Sequence, residues 1–233
     1  MLILGIETAL SQVGVAIGSG ADGVLASGHS SRDRRHAENL TPQIESVCQQ
    51  AQVELREVGC VAVDIGPGLY TGLRVGLAAA MAIAHGLDVP MIGVSSLDLG
   101  AHAVGHSNRS IVVCFDARRG EVFWSRYASS PAGVSAVDEP NVSTPDELAE
   151  ALRSNTEATL MVGDGCEKYV DTFSEIDHVE CAGPSYHNPS ARSLVEIAAP
   201  MAERGEFVAS KELKPLYLRL PDAEINWKTR DSA

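Results

Sequence analysis

One order of segments occurs twice in this chain of 233 residues, and it limits the fold more than any other feature. Three apolar segments at residues 2–8, 13–19 and 24–30 read as strands, separated by glycines suited to tight hairpins. An apolar stripe at helical spacing follows (Leu40, Ile44, Val47, Ala51), then a buried strand over residues 60–65. After a break into small polar residues at 105–109, strands are expected at 110–116, 121–128 and 134–137. Thr144-Pro145-Asp146-Glu147 then spells a capping box with proline at the first helical position, opening a helix to residue 153, and a strand follows at 159–162. Ile3-Leu4-Gly5-Ile6-Glu7-Thr8 and Val112-Val113-Cys114-Phe115-Asp116-Ala117 match in kind: each is an apolar strand delivering one carboxylate into a turn. The pattern predicts an α/β chain of two related half-domains sharing a cleft, residues 1–105 and 106–220, followed by a tail at 221–233.

Further helices are expected at 71–85, closed by Gly86, at 97–104, and after Asn188 and Pro189, the last with a stripe of Leu194, Ile197, Ala198 and Met201. Another strand is expected at 90–94. Pro42 reads in two ways, as the first helical residue after a Thr41 cap or as a residue inside a helix begun near His36. The segment from residue 215 onward either packs back on the domains or fades into a free end.

Charge narrows the possible partners. Eighteen Lys and Arg stand against 31 Asp and Glu, a formal charge of −13, so the chain as a whole repels a phosphate backbone. Two basic clusters break that balance: Arg32, Arg34 and Arg35, and Arg118 with Arg119 between two strands. They suit a partner's carboxylates or RNA phosphate, or they decorate turns. No apolar run is long enough to span a membrane, and five cysteines without a CxxC spacing suit a reducing, cytoplasmic location.

Gly66-Pro67-Gly68-Leu69-Tyr70-Thr71-Gly72-Leu73-Arg74-Val75-Gly76 runs from a strand end into a helix. It is neither a Walker A loop nor a dinucleotide fingerprint. Its glycines serve either an anion at the helix N-terminus or a tight turn with close helix packing. Glu7, Asp64 and Asp116 lie at strand ends, where open-sheet sites form and where acidic residues also cap turns. No metal is expected, and no histidine pair has ligand spacing, because the position four after His36 is Leu40.

These motifs, together with His36-Ala37-Glu38-Asn39-Leu40-Thr41-Pro42, Asp116-Ala117-Arg118-Arg119-Gly120-Glu121, Val162-Gly163-Asp164-Gly165 and Pro215-Leu216-Tyr217-Leu218-Arg219, occur in the order seen in the bacterial TsaB (YeaZ) family, and the resemblance covers residues 1–220. It implies an actin-like ATPase superfamily (ribonuclease H-like) fold. It also implies an accessory, non-catalytic role beside the catalytic paralogue TsaD, which transfers a threonylcarbamoyl group to N6 of adenosine 37 in ANN-decoding tRNAs. TsaE is the further partner, the chain alone is expected to form a homodimer, and tRNA is met only through the complex. The catalytic paralogue's His-x-x-x-His metal pair is matched at most by His36. Where the family usually has Asp, this chain has Glu7, one methylene longer, which counts against ATP turnover; no cofactor is expected. The partner surface is expected on the two N-terminal helices, at His36, Leu40, Ile44, Val47, Thr71, Gly72, Leu73, Val75, Gly76 and Ala79. A degenerate nucleotide or anion site is expected at Glu7, Thr8, Gly66, Gly68 and Asp116. The competing readings are a stand-alone ATPase, kinase-like enzyme or glycoprotease, and a homodimeric scaffold with no ligand in its cleft.

Overall fold

The protein is described by a computed structural model covering residues 1–31, 36–131 and 133–219. Short apolar runs, buried on both faces in the central strands, build two sheets, one per repeat. The first contains β1 (Leu2–Glu7), β2 (Val13–Ser19), β3 (Gly23–Ser30), β4 (Val58–Asp64) and β5 (Met91–Val94), in the order β3-β2-β1-β4-β5. The second contains β6 (Ser110–Arg118), β7 (Glu121–Ser130), β8 (Gly133–Ala136), β10 (Thr159–Val162) and β11 (Val179–Cys181), ordered β8-β7-β6-β10-β11. A short β9 (Asn141–Ser143) pairs with β7. Directions match as well as order. β1 runs antiparallel to β2 and parallel to β4, and β6 runs antiparallel to β7 and parallel to β10. The repeated segments are therefore two copies of one topology, as an actin-like, ribonuclease H-like chain requires.

The helices cover the sheets by the stripes they carry. α1 (His36–Ala51) and α2 (Tyr70–Leu87) bury Leu40, Ile44, Val47, Leu77, Ala80 and Ala84 against Leu4, Ile6, Val61 and Val63. α4 (Pro145–Arg153), α5 (Asp164–Lys168) and α6 (Val170–Phe173) close one face of the second sheet over Val112, Cys114 and Met161. Phe115 and Phe173 are fully buried, each worth about 2–3 kcal/mol of hydrophobic stabilisation.

The last helix of each repeat crosses to the other sheet. α3 (Ser96–Ala103) places Leu97 and Ala101 among Val113, Phe115 and Tyr127 of the second sheet. α7 (Ala191–Glu203) lays Leu194, Ala198 and Ala202 on Ile3, Cys60 and Ala62 of the first. Beyond α7 the chain stays with the first sheet as far as Leu213: Val208 bridges Met91, and Leu213 joins its core, before Leu218 packs against the second.

Boundaries differ from expectation where local signals compete. α1 begins at His36 and carries Pro42 inside it, at an exposed position. Gly86 does not end α2: the helix runs to Leu87, and Asp88 takes the left-handed conformation (φ 56°) as its cap. Ser190 rather than Asn188 caps α7, its Oγ accepting from the Arg192 amide at 3.2 Å, while Asn188 Oδ1 accepts from Ser11 Oγ at 2.9 Å. The capping box at Thr144 and Glu147 forms as the sequence predicts.

Candidate functional site

Parallel neighbours β1 and β4 deliver Glu7 and Asp64 to the same end and face of the first sheet, beneath α7 and α3. Glu7 lies opposite Gly14 in register, and Glu7 Oε2 and Ala191 Cβ fill the space beside that glycine. Both carboxyls are fully buried. Glu7 Oε1 accepts from the Ala9 amide (2.8 Å); Asp64 Oδ1 accepts from the Gly66 amide and Ser96 Oγ (both 2.7 Å). Glu7 Oε2 and Asp64 Oδ2 have no hydrogen-bond partner among the described residues. Burial, and then the charge of Asp64, push the Glu7 carboxyl well above its usual range. Burial also pushes Asp64 up to about 7, against the hydrogen bonds from Ser96 and Gly66. Asp98 is raised by burial too, and its Oδ1 accepts from Tyr127 Oη at 2.8 Å, tying α3 to the second sheet.

The glycine-rich loop is built against this end. Thr8 Oγ1 donates to the Gly72 carbonyl (2.8 Å), and a Cβ on Gly76 would stand 2.2 Å from Thr8 Oγ1. A Cβ on Gly68 would stand 2.3 Å from the Ala9 carbonyl oxygen, which accepts from the Leu69 amide at 2.7 Å. Two of the loop amides are taken within the chain: Gly66 N by Asp64 and Leu69 N by Ala9. Of the residues expected in an anion site, Glu7, Thr8, Gly66 and Gly68 come together as a packing unit, and Asp116 has its own partners in the second half.

Asp116, at the equivalent strand end, accepts from the Arg118 amide (2.9 Å), Arg118 Nη1 (2.8 Å) and Lys168 Nζ (2.8 Å). Asp164, opening α5 after β10, accepts from the Asp116 amide at 2.9 Å. Burial raises its pKa, with Arg118 and His187 pulling the other way. The sequence reading missed Asp164, Lys168, Ser96 and Asp98 as site residues. The signal for the first two was the Gly163-Asp164-Gly165 turn after β10, with Lys168 one helical turn on.

The expected partner surface is also corrected. Leu40, Ile44, Val47, Gly72, Leu73 and Gly76 are buried inside the chain, because the stripes of α1 and α2 face their own sheet and the α2 glycines face Thr8. Thr71 is exposed, and Val75 and Ala79 are half-buried. The side chain of His36, and Arg32, Arg34 and Arg35, lie outside the described residues, as does the tail from residue 220. Among the described residues no group of His, Cys, Asp and Glu has metal-binding geometry, all five cysteines are free thiols, and no helix is long and apolar enough to cross a membrane.

Residues 24–227 match the family described as TsaD, tRNA N6-adenosine threonylcarbamoyltransferase. The Escherichia coli (strain K12) tRNA threonylcarbamoyladenosine biosynthesis protein TsaB is 29% identical over 231 residues, 98% of this chain and 97% of that protein. The chain belongs to this family, in its TsaB (YeaZ) branch. TsaB of Bacillus subtilis (strain 168) is likewise 29% identical over 230 residues, covering 97% of this chain and 98% of that one. The solved structure of YeaZ from Pseudomonas aeruginosa superposes with a TM-score of 0.82 at 24% identity, over 93% of this chain and 99% of that one, which shows a shared fold. In the TsaB branch, then, this chain keeps the duplicated sheet and fills its first strand-end site with Glu7 packed over Gly14.

Proposed function

We propose that the chain is the non-catalytic accessory subunit of the cytoplasmic machinery that makes threonylcarbamoyladenosine in tRNA, binding and activating the catalytic paralogue TsaD, with TsaE joining the pair. The end-to-end similarity to two proteins named for that biosynthesis carries the reading. The first strand-end site supports the non-catalytic part. Glu7 and Asp64 are buried there, and Glu7 Oε2 and Ala191 Cβ fill the space beside Gly14, which leaves little room at that strand end for a phosphate. The second position of the paralogue's histidine pair is Leu40, which is core.

The partner surface is the accessible side of α2, at Thr71, Val75 and Ala79, where small side chains let another helix approach closely. The chain pairs with itself when TsaD is absent, and TsaD displaces that homodimer. The test is the threonylcarbamoyladenosine content of bulk tRNA, by nucleoside mass spectrometry, in cells depleted of the chain. Wild type should restore it. Thr71→Glu, at an exposed position of α2, should fold, fail to co-purify with TsaD and fail to restore it. Leu73 is unsuitable for such a variant because it is 1% exposed, so a charge there would unfold the chain. Unchanged modification after verified depletion would overturn the assignment.

A further inference from the structure

Four of the 18 cations of this acidic chain follow one another along a single line of contacts, and a fifth, Arg119, stands beside Arg118 at a hairpin tip. Residues 213–219 run from the first sheet to the second: the Leu216 amide donates to the Ile65 carbonyl at 2.7 Å, and Leu218 packs into the second core. Along that strap, Tyr217 stacks on Tyr70 (centroids 5.4 Å apart, 28° between planes). The Arg74 guanidinium lies 3.9 Å over the Tyr70 ring and its Nε donates to Tyr217 Oη at 3.2 Å. Two residues on, Arg219 Nη1 donates to Glu121 Oε2 (2.9 Å) and to the Arg118 carbonyl (3.4 Å). Arg118 and Lys168 then share Asp116.

The placement of charge within this line decides what it can meet. The Asp116 side chain is 2% exposed, while those of Arg118 and Lys168 are 45% and 42% exposed, so the anion is underneath and the cations face water. Glu121 is the other carboxylate on the line, and Arg219 holds it. The hairpin tip adds a backbone observation. Arg118 (φ 66°) and Arg119 (φ 56°) are both left-handed ahead of Gly120 (φ 81°), a conformation that Asn, Asp or Gly adopts at lower cost. Tyr217 is exposed with its ring already held by Tyr70 and Arg74. Cations interleaved with a pre-positioned aromatic face are the chemistry of single-stranded nucleic-acid binding.

We infer that this ridge, from Arg74 and Tyr217 across Arg219 to Arg118, Arg119 and Lys168, is a docking surface for a single-stranded or loop segment of RNA. Phosphates lie against the guanidinium and ammonium groups, and one unstacked base lies on the open face of Tyr217. The inference rests on the function proposed above, since it gives that assembly a direct RNA contact on this subunit.

The probe is a fluorescein-labelled transcript of an anticodon stem-loop, titrated with the full chain, alone and mixed with TsaD, between about 50 and 200 mM salt. Arg119→Ala and Lys168→Ala should each flatten the slope of log affinity against log salt by about 0.7. Tyr217→Ala should weaken binding about 5- to 100-fold without changing the slope, and Tyr217→Phe should retain it. Arg56→Ala, an exposed arginine off the ridge, should change neither. Melting curves identify any variant that has lost its fold, for which Arg119→Lys and Tyr217→Phe serve as structure-preserving partners. Absence of RNA binding by both chain and mixture, or ridge variants that behave like Arg56→Ala, would overturn the inference. A salt slope that responds to the cations while Tyr217→Ala changes nothing would also overturn it, in favour of an acidic protein surface. TsaD co-purification and tRNA modification are read separately: a ridge without RNA effects beside intact modification sinks the ridge alone, and unchanged modification after depletion sinks the assignment while leaving the titration standing.

Discussion

The same topology places a carboxylate at the end of β1 and of β6, yet the two ends are compensated differently. Glu7 and Asp116 each accept the amide two residues ahead, from Ala9 and Arg118, and each has a second acid near the next parallel strand, Asp64 and Asp164. Asp116 is then held by Arg118 and Lys168. The charge of Asp64 acts on Glu7, and each of the two leaves one oxygen without a hydrogen bond among the described residues. A buried carboxyl without a countercharge is driven toward its protonated form, whereas one with two cations remains an anchor. One end of the duplicated fold is thus a dry packing joint, and the other a charged surface.

The largest effects test what the halves share. Each presses a glycine onto its first strand or the turn just beyond it: Gly68 on Ala9, two residues past β1, and Gly163 (φ 111°) on the Cys114 carbonyl of β6, 2.1 Å from where a Cβ would lie. Gly68→Val and Gly163→Val should each destabilise the fold by about 3 kcal/mol, lowering the melting temperature by about 6–12 °C. If one is tolerated, the two joints are not equivalent.

Opposite signs test what separates them. An acid whose folded pKa lies above its unfolded value of about 4 weakens the fold as pH rises from there, for Asp64 through about 7. Glu7→Gln should therefore raise the melting temperature by about 2–4 °C near pH 8, about 1 kcal/mol, and leave it unchanged near pH 4. Asp116→Asn should instead cost about 1 kcal/mol near pH 7, because it removes the charge under Arg118 and Lys168. Thermal melts across pH read both, and stabilisation by Asp116→Asn would erase the contrast. The smallest effect is that of Lys168→Gln, within about 0.5 kcal/mol because its pair is solvent-screened, even though it alters the salt slope of RNA binding.

Much of the scaffold was legible because its signals are local. The apolar runs of β1 and β6, the capping box at Thr144 and the carboxylates at the strand ends all follow from neighbours within a few residues. The short elements β9, β11, α5 and α6 were not legible, since three to five residues show no periodicity of their own and these, unlike β5 and β10, have no unbroken apolar run to mark them. The site was legible in part: Glu7, Asp64 and Asp116 were singled out, but their partners Ser96, Lys168 and Asp164 come from segments more than 30 residues away in the chain. The stripes of α1 and the glycines of α2 were read correctly as surfaces of close approach, and wrongly as surfaces for another protein.

The sequence by itself determined the duplication, its element order and the residue types at each strand end, because backbone periodicity and turn chemistry act over short distances. Only the tertiary structure decided that α3 and α7 cross to the opposite sheets, that Gly72 and Gly76 receive Thr8, and that one carboxylate pair is left dry while the other meets Arg118 and Lys168. Those outcomes depend on which apolar faces and charges find one another across the folded chain, and pairing at that range leaves no periodic trace in the sequence.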